Sequence, residues 1–208
     1  MTTLALGLLA FMVAYAVVAF WARADRQITH SDRTFAISSR IVLADRSSAL
    51  RLTTITNHFV AEYLQTDFPQ IEAVARARTL GGDVPVSAGN RTARVYAASV
   101  DPPFLSIFDL PFLEGNARTA FSRPGSVVLT EDAAARLFGA ADPLGKTVSF
   151  ANRVDATVTG VIAPIPEPSL MGRSFGAQLP FDVLTSMDVF ERYTSARSGY
   201  SPPPWASR

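Results

Sequence analysis

The sequence is poor in the residues that most often carry chemistry. Cysteine is absent from all 208 residues, which excludes disulfide bonds, cysteine nucleophiles and thiolate metal sites. The only two histidines, His30 and His58, are far apart and have no third ligand in a recognisable pattern, so their spacing gives no metal site. No Gly-x-Ser-x-Gly nucleophile elbow occurs. We therefore predict a protein that is not an enzyme and that binds no cofactor.

An excess of charge of either sign is also lacking. The 19 lysine and arginine residues nearly balance the 18 aspartate and glutamate residues, which leaves a net charge of +1. Lysine occurs only once, as Lys146. A nucleic-acid-binding domain normally carries a basic face, so we expect no nucleic-acid partner.

The first 22 residues contain no charged side chain. The apolar run at residues 4–22 would reach about 28 Å as a helix, close to the thickness of the hydrocarbon core of a bilayer. Phe20 and Trp21 stand at its end, where aromatic side chains suit a membrane interface. We predict a retained transmembrane helix over residues 1–24.

Two other interpretations of this run are a cleaved signal peptide and a buried helix of a soluble domain. A signal peptide needs a basic first region and a shorter apolar core, although Ala22-Arg23-Ala24 resembles a cleavage site. A helix that is apolar on all sides is unusual inside so small a chain. Taken alone, the positive-inside rule would use Arg23 and Arg26 to place the following domain in the cytoplasm.

The rest of the chain alternates between strand-like and helix-like patterns, which predicts a mixed α+β domain over residues 25–190. An amphipathic helix is predicted over residues 54–67, and a turn at Gly81-Gly82-Asp83. The tail at residues 191–208 is rich in proline and serine and is predicted to be disordered. Strands are predicted at residues 34–43, 71–80, 91–100, 126–130, 146–150 and 154–163.

The segment SVVLTEDAAARLFG, residues 126–139, predicts a buried strand, a helix cap and a short helix. Thr130 can cap the helix, and the acidic Glu131 and Asp132 are favourable in its first turn. Phe138 belongs to the apolar face, and Gly139 ends the helix.

The adjoining segment FGAADPLGKT, residues 138–147, ends like a phosphate-binding loop. That loop has four residues between its first glycine and the Gly-Lys pair, whereas five separate Gly139 from Gly145. It also leaves a strand and opens a helix, whereas here a helix ends and a strand begins near Lys146. Pro143 lacks an N–H group for a phosphate. We interpret the segment as a turn in which Gly145 has a positive φ.

Three segments in a fixed order carry a family resemblance. HSDRTFAISSRI follows the apolar run, and the long segment VDPPFLSIFDLPFLEG to LFGAADPLGKTVSF and then VTGVIAPIPEPSLM come later. Their order and spacing resemble the periplasmic core domain of MacB/FtsX-type ABC transporter permeases over about residues 5–190. The positions that match the family pattern are Asp101, Phe104, Phe108, Gly115, Thr130, Ala134, Phe138, Gly139, Asp142, Pro143, Gly145, Lys146, Gly160 and Val161.

The resemblance implies a single-pass protein of the bacterial inner membrane whose main domain is periplasmic. It implies a cytoplasmic ABC ATPase subunit, a second permease copy and a periplasmic adaptor as partners, besides membrane lipid. Family members couple cytoplasmic ATP hydrolysis to movement of the external domain. We assign structural rather than catalytic roles to the motif residues Thr130, Phe138, Gly139, Asp142, Pro143, Gly145, Lys146 and Gly160.

The sequence departs from the family pattern because no further transmembrane helix follows the domain. We therefore expect a fragment of a longer permease. The alternative is a stand-alone, membrane-anchored periplasmic binding module without transport activity. In either case, substrate or partner contacts are expected on the loops at residues 81–90 and 164–174.

Overall fold

The computed structural model describes residues 2–25, 28–37, 39–41, 51–53, 56–57, 59–172 and 178–198. The helices are α1 (Thr2–Trp21), α2 (Phe59–Asp67), α3 (Pro103–Ile107), α4 (Glu131–Phe138) and α5 (Met187–Ser198), and Ser31–Arg33 forms a 3₁₀ turn. The strands are β1 (Ser39–Ile41), β2 (Arg51–Thr53), β3 (Ala77–Ala88), β4 (Arg91–Val100), β5 (Phe112–Gly115), β6 (Ser126–Thr130), β7 (Thr147–Phe150), β8 (Val154–Ile162) and β9 (Val183–Ser186). The mixed α+β class predicted from the sequence is confirmed.

Seven strands form one sheet in the order β5-β8-β6-β9-β4-β3-β7. Because β7 pairs with β8 as well as with β3, six of these strands close into a ring. The seventh strand, β5, pairs with residues 160–162 at the C-terminal end of β8. The β4–β9 and β6–β8 pairs are parallel, and the other pairs in the sheet are antiparallel. β1 and β2 form a separate antiparallel pair.

The central strands are buried on both faces, which explains the continuous apolar run of β6. Successive side chains of a strand point to opposite faces, and β6 divides its residues accordingly. Val127 and Leu129 belong to a core cluster with α4 and α5 residues such as Leu137 and Val189. Val128 belongs to a second cluster that contains Phe104, Leu105, Phe121 and Phe181.

The first helix stands apart from both clusters in the part of the chain that the structure describes. Its large apolar side chains are mostly exposed: Leu6, Leu8, Leu9, Phe11, Met12, Val13, Tyr15, Val17, Val18 and Phe20. Among the described residues, no helix has both the length and the apolar character needed to span a membrane. The transmembrane helix over residues 1–24 therefore stays a prediction.

The turn predicted at Gly81-Gly82-Asp83 is wrong, because these residues lie inside β3. The register with β4 shifts between Thr79 and Asp83, and Gly81 and Gly82 have φ values of 88° and 57°. Glycines at positive φ mark a bulge as well as a turn, and here they interrupt the pairing without reversing the chain. Residues 81–88 of the candidate contact loop at 81–90 therefore belong to β3, and the last two residues form the turn between β3 and β4.

Several predicted boundaries differ from the observed ones. β3 begins at Ala77, so only the end of the predicted strand at 71–80 is a strand. α5 runs through Ser198, across residue 190, at which the predicted domain ended. Parts of the predicted strand at 34–43, of the helix at 54–67 and of the tail at 191–208 lie outside the described residues, namely residues 38, 42–43, 54–55, 58 and 199–208.

Candidate functional site

The motif residues predicted from the sequence gather mainly around α4 and the turn that follows it. Thr130 is the N-cap of α4, with φ −72° and ψ 156°, and its hydroxyl oxygen accepts a hydrogen bond from the Ala133 N–H at 3.3 Å. The cap satisfies one of the N–H groups that a helix start leaves without a helical partner. The predicted cap is therefore confirmed.

The end of α4 is fixed by glycine. Gly139 has a φ of 65°, and its N–H group donates to the Ala135 carbonyl at 2.9 Å. A Cβ atom placed there would lie 3.0 Å from the guanidinium of Arg91, which extends from β4 across the helix end. Gly139 thus combines a positive φ with room for a neighbouring side chain.

The turn at residues 142–146 uses its own N–H groups for internal contacts. Asp142 accepts a hydrogen bond from the Leu144 N–H at 2.8 Å, and Lys146 donates its N–H to the Pro143 carbonyl at 3.1 Å. Gly145, at φ 72°, donates to the carbonyl of Val158 at 2.8 Å. A phosphate-binding loop needs such N–H groups for its ligand, and here protein oxygens occupy them.

Two further motif residues meet each other across this turn. The Nζ atom of Lys146 lies 5.7 Å from the centre of the Phe138 ring, within the range of a cation–π contact. The only lysine of the chain therefore rests on the last residue of α4. The contact joins the end of α4 to the turn that follows it, and the structural role assigned to Lys146 stays a prediction.

Gly160 lies apart from this turn, opposite Gly115 in the β5–β8 pair. A Cβ atom on Gly160 would come within 2.6 Å of the Phe112 ring, and one on Gly115 would come within 2.4 Å of the Thr159 carbonyl oxygen. These approaches are too close for any side chain, so the two glycines allow β5 to join the sheet.

Asp101, another position of the family pattern, holds the open end of the β3–β4 hairpin. Its carboxylate accepts hydrogen bonds from Nε of Arg76 at 2.8 Å, from Nη2 at 2.9 Å and from the Arg76 N–H at 2.9 Å. The side-chain hydrogen bond to Asp101 raises the pKa of Arg76 above its ordinary value. The fork geometry makes this a strong, oriented pair.

The described residues bring no catalytic constellation together. Among them, no group of three or more histidine, aspartate and glutamate side chains could hold a metal ion. His30 is exposed, and His58 lies outside the described residues. That the chain is not an enzyme stays a prediction.

Two shallow depressions lie beside α5, and several of the charged side chains that line them are paired with other groups of the protein. Arg192 pairs with Asp188 at 3.0 Å, and Asp188 also accepts from the Gly125 N–H at 2.9 Å and from Ser186 Oγ at 2.6 Å. Arg153 donates to the Ala196 carbonyl at 3.0 Å. These contacts attach α5 to the sheet.

Sequence reasoning missed an ion pair between a buried carboxylate and a partly exposed arginine of α4. The Asp182 side chain is only 3% exposed, and one of its oxygens lies 3.1 Å from Nη2 of Arg136 on α4. The other oxygen accepts from the Tyr96 N–H at 2.8 Å. A lone carboxylate in the apolar segment LPFDVLTSM was the available signal, because charged groups are rarely buried without a partner.

With this geometry in hand, comparison with known proteins gives a family. The family described as "MacB-like periplasmic core domain" matches the chain over residues 1–204. No curated protein matches this chain.

Among solved structures, a domain assigned to a permease protein from Porphyromonas gingivalis has a TM-score of 0.52 and 22% identity, and the match covers 62% of this chain and 56% of that one. The periplasmic region of MacB from Actinobacillus actinomycetemcomitans has a TM-score of 0.49 and 16% identity, with 80% and 72% covered. The extracellular domain of the ABC-type transporter YknZ from Gram-positive bacteria has a TM-score of 0.44 and 14% identity, with 58% and 57% covered. The first likeness shows a shared fold, over little more than half the length of that relative.

Proposed function

Because this chain belongs to the MacB-like periplasmic core domain family, we propose that it forms the extracytoplasmic domain of an ABC transporter permease. The family match over residues 1–204 is the observation that carries the proposal. The N–H groups of Leu144, Gly145 and Lys146 are bonded to protein oxygens, so this turn is not available as a phosphate-binding loop.

In this proposal α1 anchors the domain in the inner membrane. A helix that is apolar on all sides is stable when it is buried in a protein core or in lipid. The described part of α1 contributes no residue to either core cluster and exposes most of its large apolar side chains. In the proposal, membrane lipid covers these exposed apolar side chains of α1. The domain then lies in the periplasm, against the charge bias of Arg23 and Arg26.

The domain would couple cytoplasmic ATP hydrolysis to movement in the periplasm. Its partners in this role are a cytoplasmic ABC ATPase subunit, a second permease copy and, on the external side, an adaptor. The support for these partners is the family membership alone.

Two measurements test the proposal. The chain is expressed in a two-membrane bacterium, and protease is added to spheroplasts. We expect the domain to be degraded while a cytoplasmic marker survives. Antibody against the domain should also precipitate an ABC ATPase subunit from detergent-solubilised native membranes. A protected domain would contradict the periplasmic location, and precipitation without an ATPase subunit would contradict the coupling role.

A matched pair of substitutions tests the anchor. Arginine at the centre of a membrane helix opposes insertion by about 3 kcal/mol, so Val13→Arg should move the chain out of the carbonate-resistant membrane fraction. Val13→Leu keeps the apolar character and should leave it there. Equal distribution of the two variants would argue against α1 as the anchor.

A further inference from the structure

The chain leaves α1 through a turn that is bonded directly to a distant loop. Asp25, four residues after the end of α1, has a φ of 58°. Its carboxylate accepts hydrogen bonds from Ser169 Oγ at 2.5 Å and from the Leu170 N–H at 3.1 Å. Its own N–H group donates to the Pro168 carbonyl at 3.1 Å. Main chain and side chain of one residue therefore both hold the same loop.

This loop is in turn held by the domain core. Ser169 is fully buried, and its Oγ atom also accepts a hydrogen bond from the Met171 N–H at 3.0 Å. Met171 is buried in the second core cluster, with Phe104 and Phe181. A short chain of contacts thus links the turn that follows α1 to the second core cluster.

A second attachment follows three residues later. Ile28 is buried in the same cluster, and the Thr29 N–H donates to Asp109 Oδ2 at 3.0 Å. The Thr29 side-chain hydrogen bond lowers the pKa of Asp109, so this acceptor is ionised at neutral pH. Beyond Thr29, residues 30–37 are largely exposed, apart from the half-buried Thr34. Between Asp25 and Thr29, attachments to buried or core-linked partners therefore follow directly after α1, whereas the later Arg33–Glu72 ion pair is exposed.

We propose that Asp25, Pro168, Ser169 and Leu170 form a latch that makes α1 and the core sheet move as one body. The proposal rests on the proposed function, in which displacement of the membrane helix must reach the external domain. A connection held only by the chain would absorb a displacement of α1. Hydrogen bonds from both the side chain and the main chain of Asp25 to one loop suit a joint that has to transmit force.

The latch is tested by a distance measurement within one molecule. The chain has no cysteine, so Val18→Cys on α1 and Ala135→Cys on α4 give two unique sites for spin labels. Both positions are exposed. Pulsed electron–electron double resonance on the full chain in lipid nanodiscs then reports the distribution of distances between the spin label on α1 and the spin label on α4. We expect a single narrow distribution with the native latch.

Two variants break the latch from opposite sides. Asp25→Asn keeps the side-chain shape and tolerates a positive φ. It replaces one acceptor oxygen by an NH₂ group, which cannot accept a hydrogen bond from Ser169 Oγ or from the Leu170 N–H. Ser169→Ala removes the hydroxyl without changing the connection between α1 and the core. Both should broaden the distribution, whereas Asp32→Asn, an exposed carboxylate in the 3₁₀ turn, should leave it narrow. Far-ultraviolet circular dichroism checks that each variant is folded.

The outcomes separate the latch from the proposed function. An unchanged distribution in both latch variants, or equal broadening by Asp32→Asn, would overturn the latch even if an ATPase subunit binds. Broadening with Asp25→Asn but not with Ser169→Ala would reduce Asp25 to a local turn residue and would also overturn it. Because the distance is intramolecular, the result does not depend on whether the chain serves a transporter.

Discussion

At the level of single residues, Thr130 offers the most direct test of a local prediction. Its hydroxyl accepts from the Ala133 N–H, and alanine at this position would leave that donor without its cap. We expect Thr130→Ala to lower the free energy of unfolding by about 1 kcal/mol, measured by urea denaturation. Thr130→Ser keeps the acceptor and should remain close to the native value. Equal losses in the two variants would show that the methyl group, and not the cap, matters.

Gly115 and Gly145 form a matched pair at positive φ, with values of 77° and 72°. At Gly145 an added Cβ atom meets nothing within 4 Å, so Gly145→Ala should cost only the left-handed strain of about 1 kcal/mol. At Gly115 the Cβ atom would also lie 2.4 Å from the Thr159 carbonyl oxygen. Gly115→Ala should therefore cost about 3 kcal/mol in the same urea assay. Similar values for both would mean that β5 shifts freely away from β8.

Residues whose roles depend on local sequence can be predicted from it, and residues whose roles depend on distant contacts cannot. The pattern around Thr130 and Gly145 predicts their roles, because Thr130 caps the helix that begins at the next residue and Gly145 takes its positive φ in a short turn between a helix and a strand. Gly115 acts through Thr159, and Asp182 acts through Arg136 and Tyr96, which are distant in the sequence. Their spacing along the chain contains no trace of these contacts, and only the fold brings the partners together. Asp25 and Ser169 were missed for the same reason.

At the level of elements, strands with a uniform pattern were predicted with their observed bounds. β4 alternates and β6 is continuously apolar, and both agree to the residue. The bulge in β3 was predicted as a turn because glycine at positive φ serves both features. α5 has no strong helical pattern, yet Val189 and Tyr193 are buried against the sheet, so tertiary packing forms this helix.

The contact between α4 and the sheet depends on the Arg136–Asp182 pair. Removing one partner of a buried pair leaves an uncompensated charge, although Arg136 is 37% exposed and solvent weakens the effect. We expect a coupling free energy of about 1–2 kcal/mol from a double-mutant cycle with Arg136→Met and Asp182→Asn. The control is the exposed Arg33–Glu72 pair, for which we expect about 0.5 kcal/mol or less.

Equal coupling free energies for the two pairs would contradict the role of burial at Asp182. A value near zero for Arg136 and Asp182 would show that the Tyr96 N–H alone stabilises the carboxylate. In that case α4 would be held by its apolar face, which includes the buried Ala133 and Leu137.

At the level of the whole molecule, one sheet supports both core clusters. β6 contributes Val127 and Leu129 to one cluster and Val128 to the other. Disruption of either cluster therefore exposes one face of a strand whose other face belongs to the second cluster. The β7–β8 pair closes six of the strands into a ring, so strands that contribute to the two clusters are held in one hydrogen-bonded system. We infer that the domain unfolds as one cooperative unit.

This cooperativity predicts the behaviour of a chain that starts at Asp25. Among the described residues, the clusters contain none before Ile28, so removal of α1 takes away no core contact. The shortened chain should unfold in urea in a single transition, at the same midpoint as the full chain in the same detergent. Far-ultraviolet circular dichroism reports the secondary structure, near-ultraviolet circular dichroism reports the packing of buried aromatic side chains such as Phe150 and Phe181, and the two curves should coincide. Separate transitions would mean that the two faces of the sheet fold independently, and a lower midpoint would mean that α1 stabilises the domain directly.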